Sequence, residues 1–404
     1  MKICIIGGGM AGMICAIEAS SNSDNKITIY ERQSSLGKKV AITGNGKCNL
    51  SNIDVSNPNK YSSIDRDILD AYMTSFDNDE CQNFYRSIGL QTTINKGGVY
   101  PIGGQASSVV SILADKLNEN GVEIVLDKYI DSVVPCDKGY KVDGRFFDKV
   151  VLAFGGKAGV YGENSSCGIE ILKSLEIAGV RPAPALCGVE IKENIKNLSG
   201  VRTNALISLL DNDKVIYEEA GELQLADYGL SGIPIFNLTN HMPYNLGPNN
   251  NIRFKVDYMP EYREEELTNL FNSYKKTIGS RCIYDTLLGL FNSKLASYFL
   301  QISNIKNDKR VIDLTADETC SLVSVIKNSI YTFSSLRNYK NAQVMKGGVR
   351  LNQLDESFMV KDIPGVYVIG EMMDVSGECG GYNLYFAYHS GRSVGRLFAS
   401  NQLV

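Results

Sequence analysis

The sequence predicts an α/β fold in which a parallel, nucleotide-binding sheet is interrupted by a β-rich insertion and a small helical module. Three observations predict it. An apolar run at residues 3–6 passes into Gly7, Gly8 and Gly9 and then into Met10, Met13, Ile14 and Ile17 at helical spacing. A second apolar run at 149–154 closes on Gly155-Gly156, the pattern of a buried parallel strand that ends at a ligand crevice. Between about 186 and 257 the period changes to short alternating runs separated by Gly, Asn, Asp and Pro, which predicts antiparallel strands.

Taken in order, residues 3–6, the helix from Met10 and residues 27–30 make a βαβ unit. Val109, Leu113 and Leu117 predict a helix over 107–119 with Ser107 or Ser108 as its cap, followed by the alternating Val122-Glu123-Ile124-Val125. Ile169, Leu172 and Leu175 mark a further helix. Alternation at 205–210, 215–219 and 252–257 supplies the inserted strands. From 261 to 303 the pattern turns helical: Glu264, Glu265 and Glu266 stand at a helix start, Leu267, Leu270, Phe271 and Tyr274 share one face, and Leu287, Phe291, Leu295 and Phe299 share another. A helix with Leu322, Val325 and Ile326 inward then leads to a buried strand at 366–371 and a last helix at about 383–398. This assigns 1–185 plus 345–404 to a cofactor domain, 186–258 plus about 304–344 to a β-rich domain, and 259–303 to a helical module.

Composition narrows the function. The 404 residues exceed what one core usually serves, and 44% apolar with 21% charged residues excludes a disordered chain or a coiled coil. With 41 Lys and Arg against 45 Asp and Glu, the net charge of -4 offers no field for a polyanion, so no nucleic-acid partner is expected. Ten Cys without a C-x-x-C pair argue against structural zinc and point to a reducing cytoplasm. No apolar stretch approaches the roughly 18 residues of a membrane helix. Zinc, hydrolase and P-loop motifs are absent, so no metal is expected.

The chemistry resides in glycines. Gly7-x-Gly9-x-x-Gly12 joins strand to helix, with Glu31 at the end of the next strand, which is the dinucleotide fingerprint of a Rossmann-like fold. Gly7 permits the turn, Gly9 lets a pyrophosphate reach backbone amides at the helix end, where Met10 and Ala11 follow, Gly12 allows close packing, and Glu31 accepts ribose hydroxyl hydrogens. NAD and FAD share this fingerprint. Lys38, Lys39 and the stretch Gly44-Asn45-Gly46-Lys47-Cys48-Asn49-Leu50 follow the acid and suit the rest of a long dinucleotide. Gly370-Glu371 and Gly380-Gly381-Tyr382-Asn383-Leu384 at the far end suit a flavin ring.

These stretches, with 97–101, 198–202, 227–232 and 347–349, resemble the BaiN/RdsA family of NAD(P)/FAD-dependent oxidoreductases, also called aminoacetone oxidase family FAD-binding enzymes, from residue 1 to about 398. The resemblance implies FAD held by a domain of the two-dinucleotide-binding-domain flavoprotein type. It implies an adenosine end at Gly7, Gly9, Gly12 and Glu31, with Arg32 and Lys39 nearby. It implies a flavin end at Gly44, Gly46, Cys48, Asn49, Gly370, Glu371, Gly381, Asn383 and Leu384. It also implies hydride transfer through flavin N5 between transiently bound NADPH or NADH and a small molecule, such as a 3-keto steroid or bile-acid enone, or oxidation of a small amine or ketone donor. Two departures stand out: Phe154 before Gly155 where relatives often have Thr, and Asn45 inside a glycine run. Rival readings are a flavoprotein that modifies tRNA and a flavin-holding electron-transfer protein. Of the catalytic candidates, Cys48 lacks a partner thiol, His389 and His241 read as packed or solvated histidines, and Tyr100, Tyr382 and Tyr385 stand among 22 tyrosines, so no catalytic residue is assigned.

Overall fold

The fold is taken from a computed structural model that describes residues 1–159, 168–244, 246–247 and 250–400. Residues 401–404, which the sequence assigned to the cofactor domain, lie outside the described residues. The chain divides into two compact units, Met1–Ala185 with the chain from Asn338 onward, and Leu186–Arg337.

The first unit is built on β1 (Lys2–Ile6), α1 (Met10–Ala19), β2 (Lys26–Tyr30), α2 (Ala106–Glu119), β3 (Glu123–Val125), β4 (Lys149–Leu152), β5 (Val366–Val368) and α3 (Tyr382–Ala399). The five strands form one parallel sheet in the order β5-β4-β1-β2-β3. Ile5 pairs with Ile29 on one side and with Val151 on the other, and all three are buried. Burial on both faces explains why these strands are apolar throughout rather than alternating. The chain leaves β1 toward β2 and later returns to β1's other side as β4, which places a topological switch, and the crevice that follows from it, at the C-terminal ends of β1 and β4. Helix α3 crosses α1 at two glycines: a Cβ on Gly391 would lie 2.3 Å from the Ala11 carbonyl oxygen, and one on Gly395 2.6 Å from that of Cys15. Helix α2 begins at Ala106 with Gln105 as N-cap, not at the serines that follow, because Ala106 enters the core.

The second unit holds a closed antiparallel barrel of six strands in the order Val189–Ile191, Gly229–Ser231, Lys214–Ala226, Arg202–Asp211, Ile252–Asp257 and Ser329–Leu336. Val189 pairs with Leu230 and with Leu336, which closes the ring and leaves no free edge. Leu267 and Phe271 of helix Glu264–Thr277, Phe299 of Ser293–Ile302 and Leu322 of Ala316–Lys327 join Ile207, Leu223 and Phe254 of the barrel in one core. The helical segment therefore has no core of its own. Its expected second face is split between two helices, Ile283–Leu287 and Ser293–Ile302, because the Asn292 side chain accepts a hydrogen bond from the Leu295 N–H (3.0 Å) and starts a new helix.

Candidate cofactor crevice

The ends of the parallel strands of the first unit open onto a crevice with about 1300 Å³ of space between and in front of its walls, open solvent included. Gly7, Gly9, Met10 and Ala11 line it where β1 turns into α1, Glu31 and Arg32 where β2 ends, Gly155 after β4, and Gly370 and Glu371 after β5. Lys38, Lys39, Asn383 and Leu384, also expected from the sequence, line it too.

Each fingerprint glycine has its own constraint. Gly7 has φ +116°, and a Cβ there would sit 2.3 Å from the Ala153 carbonyl oxygen, so β1 and β4 approach at a point only glycine fits. A Cβ on Gly12 would lie 2.0 Å from the Gly7 carbonyl oxygen, which locks the turn onto the helix. Gly9 is different: it caps α1 with an ordinary φ of -79°, and among the described residues nothing lies within 4 Å of its Cβ position. Its missing side chain leaves room at the helix N-terminus, where no side chain caps the helix and no acid occupies the first turn. Free amides and the positive end of the helix dipole make that space suited to a phosphate.

Glu31 is buried, with Oε2 accepting the Gly8 N–H (2.8 Å) and Oε1 the Gln33 N–H (2.8 Å). Those two bonds fix the carboxylate at the end of β2 and leave its other lone pairs for hydroxyl donors. Lys38 turns toward the same loop and donates to Ser34 Oγ (3.0 Å) and Gln33 Oε1 (3.2 Å). Lys39, which the resemblance set near the adenosine end, instead donates to both oxygens of Glu371 (2.8 and 2.6 Å), a residue of the expected flavin end. Asn383 lines the crevice, but its amide is committed to the backbone of Gly377, donating to the carbonyl (2.7 Å) and accepting from the N–H (2.8 Å).

Gly12, Gly44, Asn45, Gly46, Cys48, Asn49, Leu50 and Gly381 are not among the lining residues. The loop at 44–48 runs through left-handed backbone at Gly44, Asn45, Gly46 and Cys48. It packs near Tyr100, whose ring lies 3.9 Å from a Cβ on Gly44. Gly381 (φ +101°) starts α3, and a Cβ there would meet the Ser51 carbonyl oxygen at 2.3 Å and Asn49 Oδ1 at 2.8 Å. Asn49 Oδ1 is buried and has no hydrogen-bond partner among the described residues. Cys48 is fully buried, and burial pushes its thiol up to about 11, the reverse of a reactive thiolate.

Sequence reasoning missed the segment Lys128, Tyr129 and Ile130, which lines the crevice beside β2 as the Lys128 N–H bonds the Glu31 carbonyl (2.9 Å). Its position just beyond a parallel strand was the available signal. Gln343 and Val344 were also missed. Phe154, the departure from the Thr of relatives, lines the crevice with its ring against Gly168, where a Cβ would clash at 2.0 Å. Neither histidine is in the lining. His389 packs against Phe76 (ring centroids 4.6 Å apart), and His241 stacks on Tyr217 in the second unit (3.8 Å). The Tyr385 hydroxyl accepts the Asp77 N–H (2.6 Å), and burial holds its ionisation far above the usual phenol range.

The family model described as the HI0933-like protein Rossmann domain matches residues 1–397. This chain belongs to that family. It is 32% identical to a 3-dehydro-bile acid delta(4,6)-reductase of Clostridium scindens over 98% of this chain and 99% of the relative. It is 24% identical to a ribosomal RNA dihydrouridine synthase of Haemophilus influenzae over 96% and 95% of the two chains. Among solved structures, a 3-ketosteroid delta1-dehydrogenase from Sterolibacterium denitrificans, in complex with 1,4-androstadiene-3,17-dione, superposes with a TM-score of 0.50 at 12% identity over 99% of each chain. That likeness is one of fold. The HI0933-like family is one of FAD-dependent oxidoreductases, and this member is such an enzyme. The residues fit the cofactor: the open space at Gly9 and the anchored Glu31, both on the lining of the crevice, suit an adenosine diphosphate portion. Among the described residues no helix is long and apolar enough to cross a membrane.

Proposed function

We propose that this oxidoreductase saturates a carbon–carbon double bond conjugated to a carbonyl in a small organic substrate, with NADPH or NADH as a transient reductant. The end-to-end match to the bile-acid reductase carries this reading. When bound, FAD supplies hydride transfer at flavin N5. The Gly9, Met10 and Ala11 amides would hold the diphosphate, Glu31 the adenosine ribose, and Glu371 a hydroxyl of the central chain. His389, Tyr385 and Cys48 lie outside the crevice lining, so none is given a proton-transfer role.

The name of the second relative favours one alternative, uridine in RNA as the acceptor, since both names describe the saturation of a carbon–carbon double bond. The test is an anaerobic visible spectrum of the purified protein with NADPH or NADH, followed by a 4-ene-3-one bile acid in one cuvette and ribosomal RNA in another. Bleaching by a nicotinamide and recovery with the enone are expected. A colourless protein that cannot be reconstituted with FAD sinks the flavin reading. Recovery with RNA alone transfers the substrate to the second class, and bleaching by an aminoketone makes the enzyme an oxidase.

A further inference from the structure

Among the described residues, six charged side chains line the crevice: Glu31, Arg32, Lys38, Lys39, Lys128 and Glu371. Glu371 stands on the segment after β5, and three features hold it. Its Oε1 accepts the Met345 N–H (2.9 Å), and both its oxygens accept from Lys39 Nζ (2.8 and 2.6 Å). Gly156 lies against it so closely that a Cβ there would be 2.8 Å from Oε1. The Lys39 stem is itself laid on Gly159, whose Cβ position is 3.6 Å from Lys39 Cε. The ion pair therefore ties the segment after β2 to the one after β5, and its side chains retain only 24% and 19% exposure.

We propose that Lys39 is a positioning residue that acts through Glu371: it fixes that carboxylate and cancels its charge, so that a diphosphate entering the crevice meets no net negative wall there. This rests on the FAD reading above. A carboxylate within several ångströms of a diphosphate, in surroundings less polar than water, repels it strongly enough to change affinity by an order of magnitude or more. Without Lys39 that repulsion is uncompensated. Glu371 also loses the double contact that directs it, so its remaining acceptor sites no longer face a ligand hydroxyl in one orientation.

The test is a double-mutant cycle read as FAD affinity, by fluorescence quenching, on the deflavinated full-length chain, with the thermal midpoint of each protein before FAD is added. Lys39→Met is expected to weaken FAD roughly 10- to 100-fold, and Lys39→Arg, which keeps a two-pronged contact with the carboxylate, to restore most of it. In a Glu371→Gln background, Lys39→Met is expected to cost less than about 3-fold, because the charge it neutralised is gone. Midpoints without FAD should move little, as a partly exposed pair contributes little to folding. Three outcomes overturn the proposal: Lys39→Met without effect on FAD, an equal loss in both backgrounds, which makes Lys39 a direct phosphate ligand, or a large fall in midpoint that accounts for the loss. If the unmutated chain shows no saturable FAD binding, the flavin reading itself fails and takes this inference with it.

Discussion

Gly9 and Gly12 belong to one turn, yet a methyl group at each would do different damage. At Gly12 it would lie 2.0 Å from the Gly7 carbonyl oxygen, so Gly12→Ala must push apart the β1–α1 junction. At Gly9 it meets nothing among the described residues within 4 Å, and φ is ordinary for alanine. Gly9→Ala should therefore leave the unfolding free energy within about 1 kcal/mol of the parent and lower FAD affinity at least about 10-fold, by filling the space a phosphate needs. Gly12→Ala should lose several degrees of thermal midpoint, with FAD binding lost as a consequence. Melting curves and FAD titrations of both variants check this, and unchanged FAD affinity in Gly9→Ala would remove the phosphate from that turn. These glycines were legible in the sequence because their constraint is local, a turn of six residues. The pairing of Lys39 with Glu371 was not legible, since only the parallel order of β1, β2, β4 and β5 brings the two together. Nor could sequence show that the Asn383 amide is used up on Gly377.

Helix α3 serves two neighbours. Gly391 and Gly395 admit the backbone of α1, and His389 lies in an aromatic nest of Phe76, Phe358 and Tyr385 with Ser75 Oγ 3.3 Å from Nε2. Burial lowers the imidazole to about 4, Glu80 opposing and Arg392 reinforcing that shift. The unfolded chain, with an ordinary histidine near 6.5, takes up the proton first as pH falls. The stabilising contribution is thus complete above about 6.5 and is lost as pH drops toward 4. Urea unfolding at pH 7.5 and pH 5 should show an acid loss smaller by on the order of 1 kcal/mol in His389→Gln than in the parent. Equal losses would mean the ring titrates as it does in water. The helix itself was readable from its apolar spacing, but its nest was not, because Phe76 and Phe358 come from loops with no periodicity.

At the scale of the whole chain, the two hydrophobic cores share no residue: one joins the parallel sheet to α1, α2 and α3, and the other fills the barrel and its helices. Alternation announced the inserted strands, whereas closure of the barrel depends on Val189 meeting Leu336 at the opposite end of the insertion, which no local pattern encodes. A closed sheet with its own core meets the usual conditions for independent folding. Residues 186–337 expressed alone should therefore unfold cooperatively in urea, and their midpoint should not respond to FAD. All described residues of the cofactor crevice belong to the other unit. In the intact chain, FAD at about 100 times its Kd should then stabilise that unit by about 2.7 kcal/mol, raising its melting transition by roughly 5–10 °C. The insertion's transition should stay where the isolated fragment melts. If the fragment is unfolded, or if FAD moves a single shared transition in the intact chain, the insertion draws its stability from the cofactor unit and the two cores act as one.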